Sequence, residues 1–270
     1  MKRVLGGLFA LFLCIVSAHA AIYGGNRRFI AGGQTQETAA LLARMTVQPS
    51  ATCAANINRL ISGLKSTDFL PRLDALYVFK VHTSQAALLN WVSTSHNLTA
   101  TNSPTFAANS GYTPSGASSG LTGPNLATFG GKYALRNAHV GLYIGTNVSE
   151  AAADTASSSV QIQTRNSTLA RTRLNDATTT SLTLPVATSI GHVVMSRGGT
   201  TYFVAKNGFT FSTVANDATT ITSANLTIGF AGGTSSTKLQ QAAHYGDAVS
   251  QEQVAAAYPF FSEYMTNGCP

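Results

Sequence analysis

Between Leu98 and Tyr245 short runs rich in Val, Ile, Thr, Tyr and Phe recur about every ten residues, separated by Gly, Asn, Ser and Pro. No long helical pattern lies between them. This rhythm argues for antiparallel strands and against a βαβ fold, so the expected class is all-β, a two-sheet antiparallel jelly-roll sandwich. The expected strands are 98–102, 139–146, 159–163, 168–173, 181–184, 191–196, 201–206, 210–212, 226–230 and 238–245, with 73–81 ahead of them.

The clearest hairpin is GHVVMSRGGTTYFVAKNG, Gly191 to Gly208, with turns at Gly198-Gly199 and Asn207-Gly208. Period-two alternation places Val193, Met195, Phe203 and Ala205 on one face and His192, Val194, Tyr202 and Val204 on the other. Helical patterns flank the strands. Residues 35–46 place Leu41, Leu42 and Met45 on one side. Ile57, Leu60, Ile61 and Leu64 follow at i, i+3, i+4 and i+7, with Thr52 as a cap. A short helix is expected at 84–92. The chain closes on SQEQVAAAYPFFSEYM, residues 250–265, where Ser250 and Gln253 form a capping box and Pro259 should kink or split the helix.

Lys2-Arg3, the apolar stretch Val4–Val16 and Ala18-His19-Ala20 form a signal-peptide pattern, with cleavage expected between Ala20 and Ala21. Thirteen apolar residues are too few to cross about 30 Å of hydrocarbon, so no stable membrane span is expected after cleavage. The expected organisation is a signal at 1–20, a Gly-rich leader at 21–34, a helical preface at 35–71 and a sandwich domain at 72–270. The expected location is extracellular or periplasmic. Cys53 and Cys269 then remain as an even pair in an oxidising compartment, and a disulfide between them is expected. Loss of Lys2 and Arg3 would lower the formal charge from +7 to +5. The cations are scattered, which excludes a nucleic-acid stripe. Only 10% of residues are charged, so Ser, Thr, Asn and Gly must solvate the surface.

Three stretches resemble the concanavalin A-like jelly roll in its laminin-G-like form. They are the hairpin above, LTIGFAGG at Leu226–Gly233, and YGDAVSQEQVAAAY at Tyr245–Tyr258. Leu73 to Thr113 is similar to phage and prophage proteins of α-proteobacteria. The resemblance implies a jelly roll over about residues 73 to 265, and Gly191 departs from it where the family often has Trp.

The carboxylates do not form an i, i+2 or i+4 pair on any expected strand, the arrangement that glycoside hydrolysis on this fold uses. Glu150 and Asp154 come closest, in a stretch that reads as a loop or helical turn. The histidines and cysteines lack zinc-ligand spacing. No metal ligands or cofactor are therefore assigned. Calcium is left open, since rim carbonyls with one or two Asp side chains suffice, although Ser115 stands where related proteins often carry Asp. The expected function is a secreted, non-catalytic module that binds a glycan or cell-surface polysaccharide on a sheet face or loop rim. Candidate ligand-binding residues are Arg136, His139, Tyr143, Asn147 and Tyr202. The strand tyrosines Tyr143 and Tyr202 also suit half-buried packing positions. The alternatives are a structural or host-attachment protein of a phage particle or cell surface, which would be virion-associated, and, behind it, a polysaccharide hydrolase or lyase. Oligomeric state is left open.

Overall fold

The computed structural model describes residues 33–270 except 129, 177–181, 216 and 222. The signal, its cleavage site at Ala20-Ala21 and nearly all of the leader lie outside the described residues. The strands, in chain order, are β1 (Leu73–Val78), β2 (Thr99–Thr101), β3 (Thr105–Ala107), β4 (Gly111–Thr113), β5 (Gly120–Asn125), β6 (Asn137–Ile144), β7 (Thr155–Ser157), β8 (Val160–Asn166), β9 (Leu169–Leu174), β10 (Leu182–Pro185), β11 (Gly191–Gly198), β12 (Thr201–Lys206), β13 (Thr210–Ala215), β14 (Asn225–Ile228), β15 (Phe230–Ala231), β16 (Thr234–Ser235) and β17 (Gln240–Gly246). The helices are α1 (Gln36–Leu42), α2 (Ala51–Ser66), α3 (Ser84–Leu88) and α4 (Gln251–Asn267).

Two antiparallel sheets form the sandwich, as the strand rhythm predicts. The first has eight strands, ordered β13-β12-β11-β6-β17-β4-β3, with β1 also paired to β17. The second has seven, ordered β10-β9-β8-β7-β14-β5-β2, and β15-β16 is a separate ribbon. The space between the sheets is filled by alternate residues: Val140, Leu142, Val193, Met195, Val204 and Tyr245 from the first, and Val160, Ile162, Ala170, Leu174, Leu226 and Ile228 from the second. Each such Val, Leu, Ile or Met side chain removed from water contributes about 1.5–3 kcal/mol.

The hairpin β11-β12 corrects the expected facing. Gly198 pairs with Thr201 and Met195 with Val204. A two-residue turn makes partner numbers sum to a constant, so odd positions on β11 meet even positions on β12. Val193 and Met195 therefore share the inter-sheet face with Tyr202 and Val204, not with Phe203 and Ala205.

The outer face of the first sheet is covered by helices, which makes a third layer. Ile57, Leu60, Ile61 and Leu64 of α2 and Val254, Ala257 and Phe261 of α4 are all buried. The two helices approach closely enough that a Cβ at Gly63 would fall 2.1 Å from the Phe260 ring. Ser50, rather than Thr52, caps α2 by accepting from the Cys53 N–H, because Thr52 already lies in the first turn. The capping box at Ser250 and Gln253 forms as expected. Helix α4 continues through Pro259 without a break, its apolar side held against the sheet and its end tied to α2. The tie is a disulfide between Cys53 and Cys269, 216 residues apart in sequence, reinforced where Asn56 Nδ2 donates to Gly268 O at 2.7 Å. Closing so long a loop restricts the unfolded chain. We expect Cys53→Ala with Cys269→Ala to lower unfolding free energy by roughly 2–5 kcal/mol, measured by urea denaturation; an unchanged midpoint would show that the bridge adds nothing to the helix packing.

Candidate functional site

The five residues selected from sequence do not converge. Arg136 is exposed and pairs with Asp217 at 2.7 Å, at the end of the sandwich where β6 begins. Asn147 is exposed at the opposite end, in the loop after β6. Its Oδ1 accepts from Arg165 Nη1 at 3.0 Å and from the Ser189 N–H at 3.2 Å. Tyr202 is only 1% exposed and points between the sheets, donating to Thr172 Oγ1 and packing under the Arg197 guanidinium, 5.2 Å from the ring centre. Its burial follows from the hairpin register and leaves it no ligand-facing surface. His139 and Tyr143 lie on the outer face of the first sheet, beneath α4, and are also buried.

His139 belongs to a group that no sequence motif announced. His139 on β6, His192 on β11 and His244 on β17 are brought side by side by the β11-β6-β17 pairing. His139 Nε2 lies 3.0 Å from His244 Nδ1, and His244 Nε2 lies 2.7 Å from His192 Nε2. His139 Nδ1 contacts the Asp247 carbonyl oxygen. A carbonyl can only accept, so His139 Nδ1 carries the proton and its Nε2 accepts from His244. His244 Nε2 then accepts from His192, whose Nδ1 is left as a buried acceptor with no partner. Phe69 and Phe261 pack against these rings, and Tyr143 stacks on His192 at 5.9 Å. Gly141 makes the space, since a Cβ there would fall 2.1 Å from the His244 ring. Burial holds all three rings neutral. It pushes His139 down to about 4 against the opposing pull of Asp247. Burial, with the nearby Lys206 charge, pushes His192 down to about 3. His244 is also depressed by burial, then by its two neighbours. The group is sealed and is part of the packing rather than a ligand site.

The open surface lies at the sandwich end that carries the starts of β5, β7 and β17 and the ends of β6 and β14. Pro114, Gly116, Ala117 and Gly233–Thr237 line a cleft of about 330 Å³ there. Its lining mixes the apolar surfaces of Pro114 and Ala117 with backbone and the hydroxyl-bearing residues of the 234–237 segment. Ser235 Oγ is bonded to the backbone of Ser119, and Gly229 at φ +85° lets Pro114 pack onto the strand exit.

A buried charge cluster backs this wall. Lys238 and Asp154 are both fully buried, with Nζ 3.0 Å from Asp154 Oδ2 and 3.4 Å from Glu150 Oε1. Asp154 also accepts from Thr164 N–H and Oγ1 and from Ser236 Oγ, all at 2.7 Å. Glu150 accepts from the Thr237 N–H and Oγ1 and shares the single Ser236 hydroxyl proton with Asp154. Burial pushes the Glu150 carboxyl up, but these hydrogen bonds and the Lys238 charge outweigh it and hold it below the usual range. The acids closest in sequence do meet in space, but they face a lysine and the cleft wall, not a substrate. They are equally committed against calcium, which takes carboxylate oxygens; the cleft lining itself has none, so the residues present do not fit that ion. Cys53, Cys269 and His82 also cluster within 4.8 Å, but the two sulfurs are bonded to each other.

No family model matches the sequence, and no curated protein matches it. Several solved structures are similar to this chain. The sialidase of Trypanosoma rangeli matches at 10% identity and a TM-score of 0.50, over 78% of this chain and 39% of that one. The same enzyme in complex with sialic acid matches at 9% identity, TM-score 0.50, over 77% and 39%. Domain 4 of an extracellular GH43 arabinanase from Geobacillus stearothermophilus, in complex with arabinotriose, matches at 13% identity and a TM-score of 0.44, over 69% of this chain and 98% of that domain. The chain spans about two fifths of the length of the sialidases it matches. At 9–10% identity the likeness to the sialidase concerns the β-sandwich fold alone.

Two outcomes follow from the buried groups. Unfolded histidines take a proton near pH 6.5, whereas the three folded rings resist protonation until lower pH. Their contribution to stability is therefore complete above about pH 6.5 and is lost as pH falls toward about 4, by about 1.4 kcal/mol per pH unit per ring. We expect the urea midpoint to hold from about pH 8 to 7 and to fall steeply between about 6 and 4.5; a flat midpoint across that range contradicts the buried neutral rings. Lys238→Met strands Asp154 as an unpaired buried charge and should cost about 3–5 kcal/mol, with partial recovery in the double variant carrying Asp154→Asn. Equal stability of the single variant and the native chain in chemical denaturation would contradict the pairing.

Proposed function

We propose that this chain is a secreted, non-catalytic glycan-binding module of the concanavalin A-like kind, and that the cleft between residues 114–117 and 233–237 is its sugar site. The observation that carries the proposal is the cleft itself. Its volume falls within the range of ligand pockets, about 300–1,000 Å³, and its lining sets Pro114 and Ala117 beside the backbone and hydroxyl-bearing residues 233–237. Sugar hydroxyls pair with such groups without a net charge. The Lys238–Asp154–Glu150 cluster fixes Ser236 and Thr237, so little conformational freedom is lost on binding. The module is non-catalytic in this proposal because Glu150 and Asp154 are neutralised and turned inward. Export fits the Cys53–Cys269 disulfide, and among the described residues no helix is long and apolar enough to cross a membrane. The host-attachment alternative rests on the resemblance of Leu73–Thr113 to phage proteins.

Ala117 is exposed and lines the cleft, so Ala117→Trp fills it without touching the core. On a glycan array, we expect the native chain to retain at least one neutral oligosaccharide and the variant to lose it by about tenfold or more, a change of about 1.4 kcal/mol. Retention of no saccharide, or equal retention by the variant, refutes the site.

A further inference from the structure

The outer face of the second sheet carries a cationic array. Along β8 the inward residues are Val160, Ile162 and Thr164, which leaves Gln161, Gln163 and Arg165 facing out. Along β9, Ala170, Thr172 and Leu174 face in, and Leu169, Arg171 and Arg173 face out. The register sets Gln161 opposite Arg173, Gln163 opposite Arg171, and Thr183 of β10 on the other side of Arg171. No outward position on these three strands is acidic. Four cations elsewhere sit against acids: Arg59 with Glu263, Lys65 with Glu37, Arg72 with Asp68 and Asp247, and Arg136 with Asp217, while exposed Lys132 gives its ammonium to the Pro71 and Leu73 carbonyls. Arg171 is exposed, and neither it nor Arg165 forms an ion pair among the described residues. Arg165 is instead oriented by Asn147 Oδ1 and the Ser167 carbonyl, at the same end of the sandwich as the cleft. Glu150, in the adjoining loop, gives its carboxylate to Ser236, Thr237 and Lys238.

Residues two apart on a strand lie about 7 Å apart on one face, and neighbouring strands about 4.8 Å apart. The face therefore presents the exposed Arg171 guanidinium between Gln163 and Thr183, with Arg173 two residues along β9 and Arg165, held by Asn147 and Ser167, near the end of β8. A guanidinium fork matches a carboxylate geometrically, and amides match sugar hydroxyls. We propose that the β8-β9-β10 face binds an acidic polysaccharide, one whose successive sugars carry carboxylates. This assignment rests on the glycan-binding function proposed above and names the class of glycan.

The test titrates the native chain with polygalacturonate and with its fully methyl-esterified form, which keeps the sugar backbone and removes the charge. Polygalacturonate should bind, and binding should weaken as salt is raised, because exposed charges are screened. Arg171→Glu should weaken it by about tenfold or more, and Arg171→Lys should weaken it less. Equal binding of the methyl ester, native-like binding by Arg171→Glu, or equal competition by double-stranded DNA would each overturn the proposal, the last by revealing a surface for any polyanion. If polygalacturonate fails while a neutral oligosaccharide binds in an Ala117→Trp-sensitive manner, this face falls and the cleft stands. If no saccharide binds, both fall.

Discussion

The seating of α4 on the first sheet decides which surfaces the molecule can use. Phe261 enters the space among His139, His192 and His244, and Phe69 closes it from the side. Gly141 gives the His244 ring its room below, and Gly63 lets α2 and α4 meet above. Cys53–Cys269 fastens that arrangement at the helix ends. One face of the sandwich is thereby sealed, together with two of the residues that sequence reasoning selected as ligand contacts. The second sheet and the loop rim are what is left for function.

Burying three imidazoles is a costly way to fill such a space, and it works only while they are neutral. Their hydrogen bonds run in one direction, from His192 through His244 and His139 to the Asp247 carbonyl. The loop rim solves the same problem differently. There Lys238 lies against both Asp154 and Glu150, and Ser236, Thr237 and Thr164 supply the remaining hydrogen bonds to the two carboxyl groups. Such a cluster stabilises little against a well-packed apolar core, but it holds loops in one arrangement. The fixed loop wall at residues 236–238 is its consequence.

Much of the fold was legible because it follows from period and turn chemistry. The apolar stripe of α2, the Ser250 capping box and the strand pair 191–206 could be placed from residues alone. The expected strands omit β3, β4, β5, β7 and β16. Three are short pieces of Thr, Ala, Ser and one Phe, β4 is a Gly-Tyr-Thr stub, and GLTGPN in β5 carries two glycines and a proline, residues that usually mark turns. The site was less legible. Tyr202 was misassigned by one step of hairpin parity. His139, His192 and His244 sit on three separate strands, so no local spacing could link them; alternate placement on their strands was the one available signal. Glu150 and Asp154 were visible as a near pair, but their neutralising partner, Lys238, lies 84 residues beyond Asp154. Long-range pairing of this kind is set by sheet order, which local sequence does not encode.

The central claim is that glycan recognition belongs to the rim cleft and the second sheet, not to the helix-covered face. Hydrogen–deuterium exchange with and without a bound oligosaccharide tests it directly. Protection is expected at residues 114–119 and 233–237, extending onto β8 and β9 for an acidic chain, with no change in α2 or α4. Protection confined to the helices, or to the far end around Arg136 and Asp217, would contradict the account.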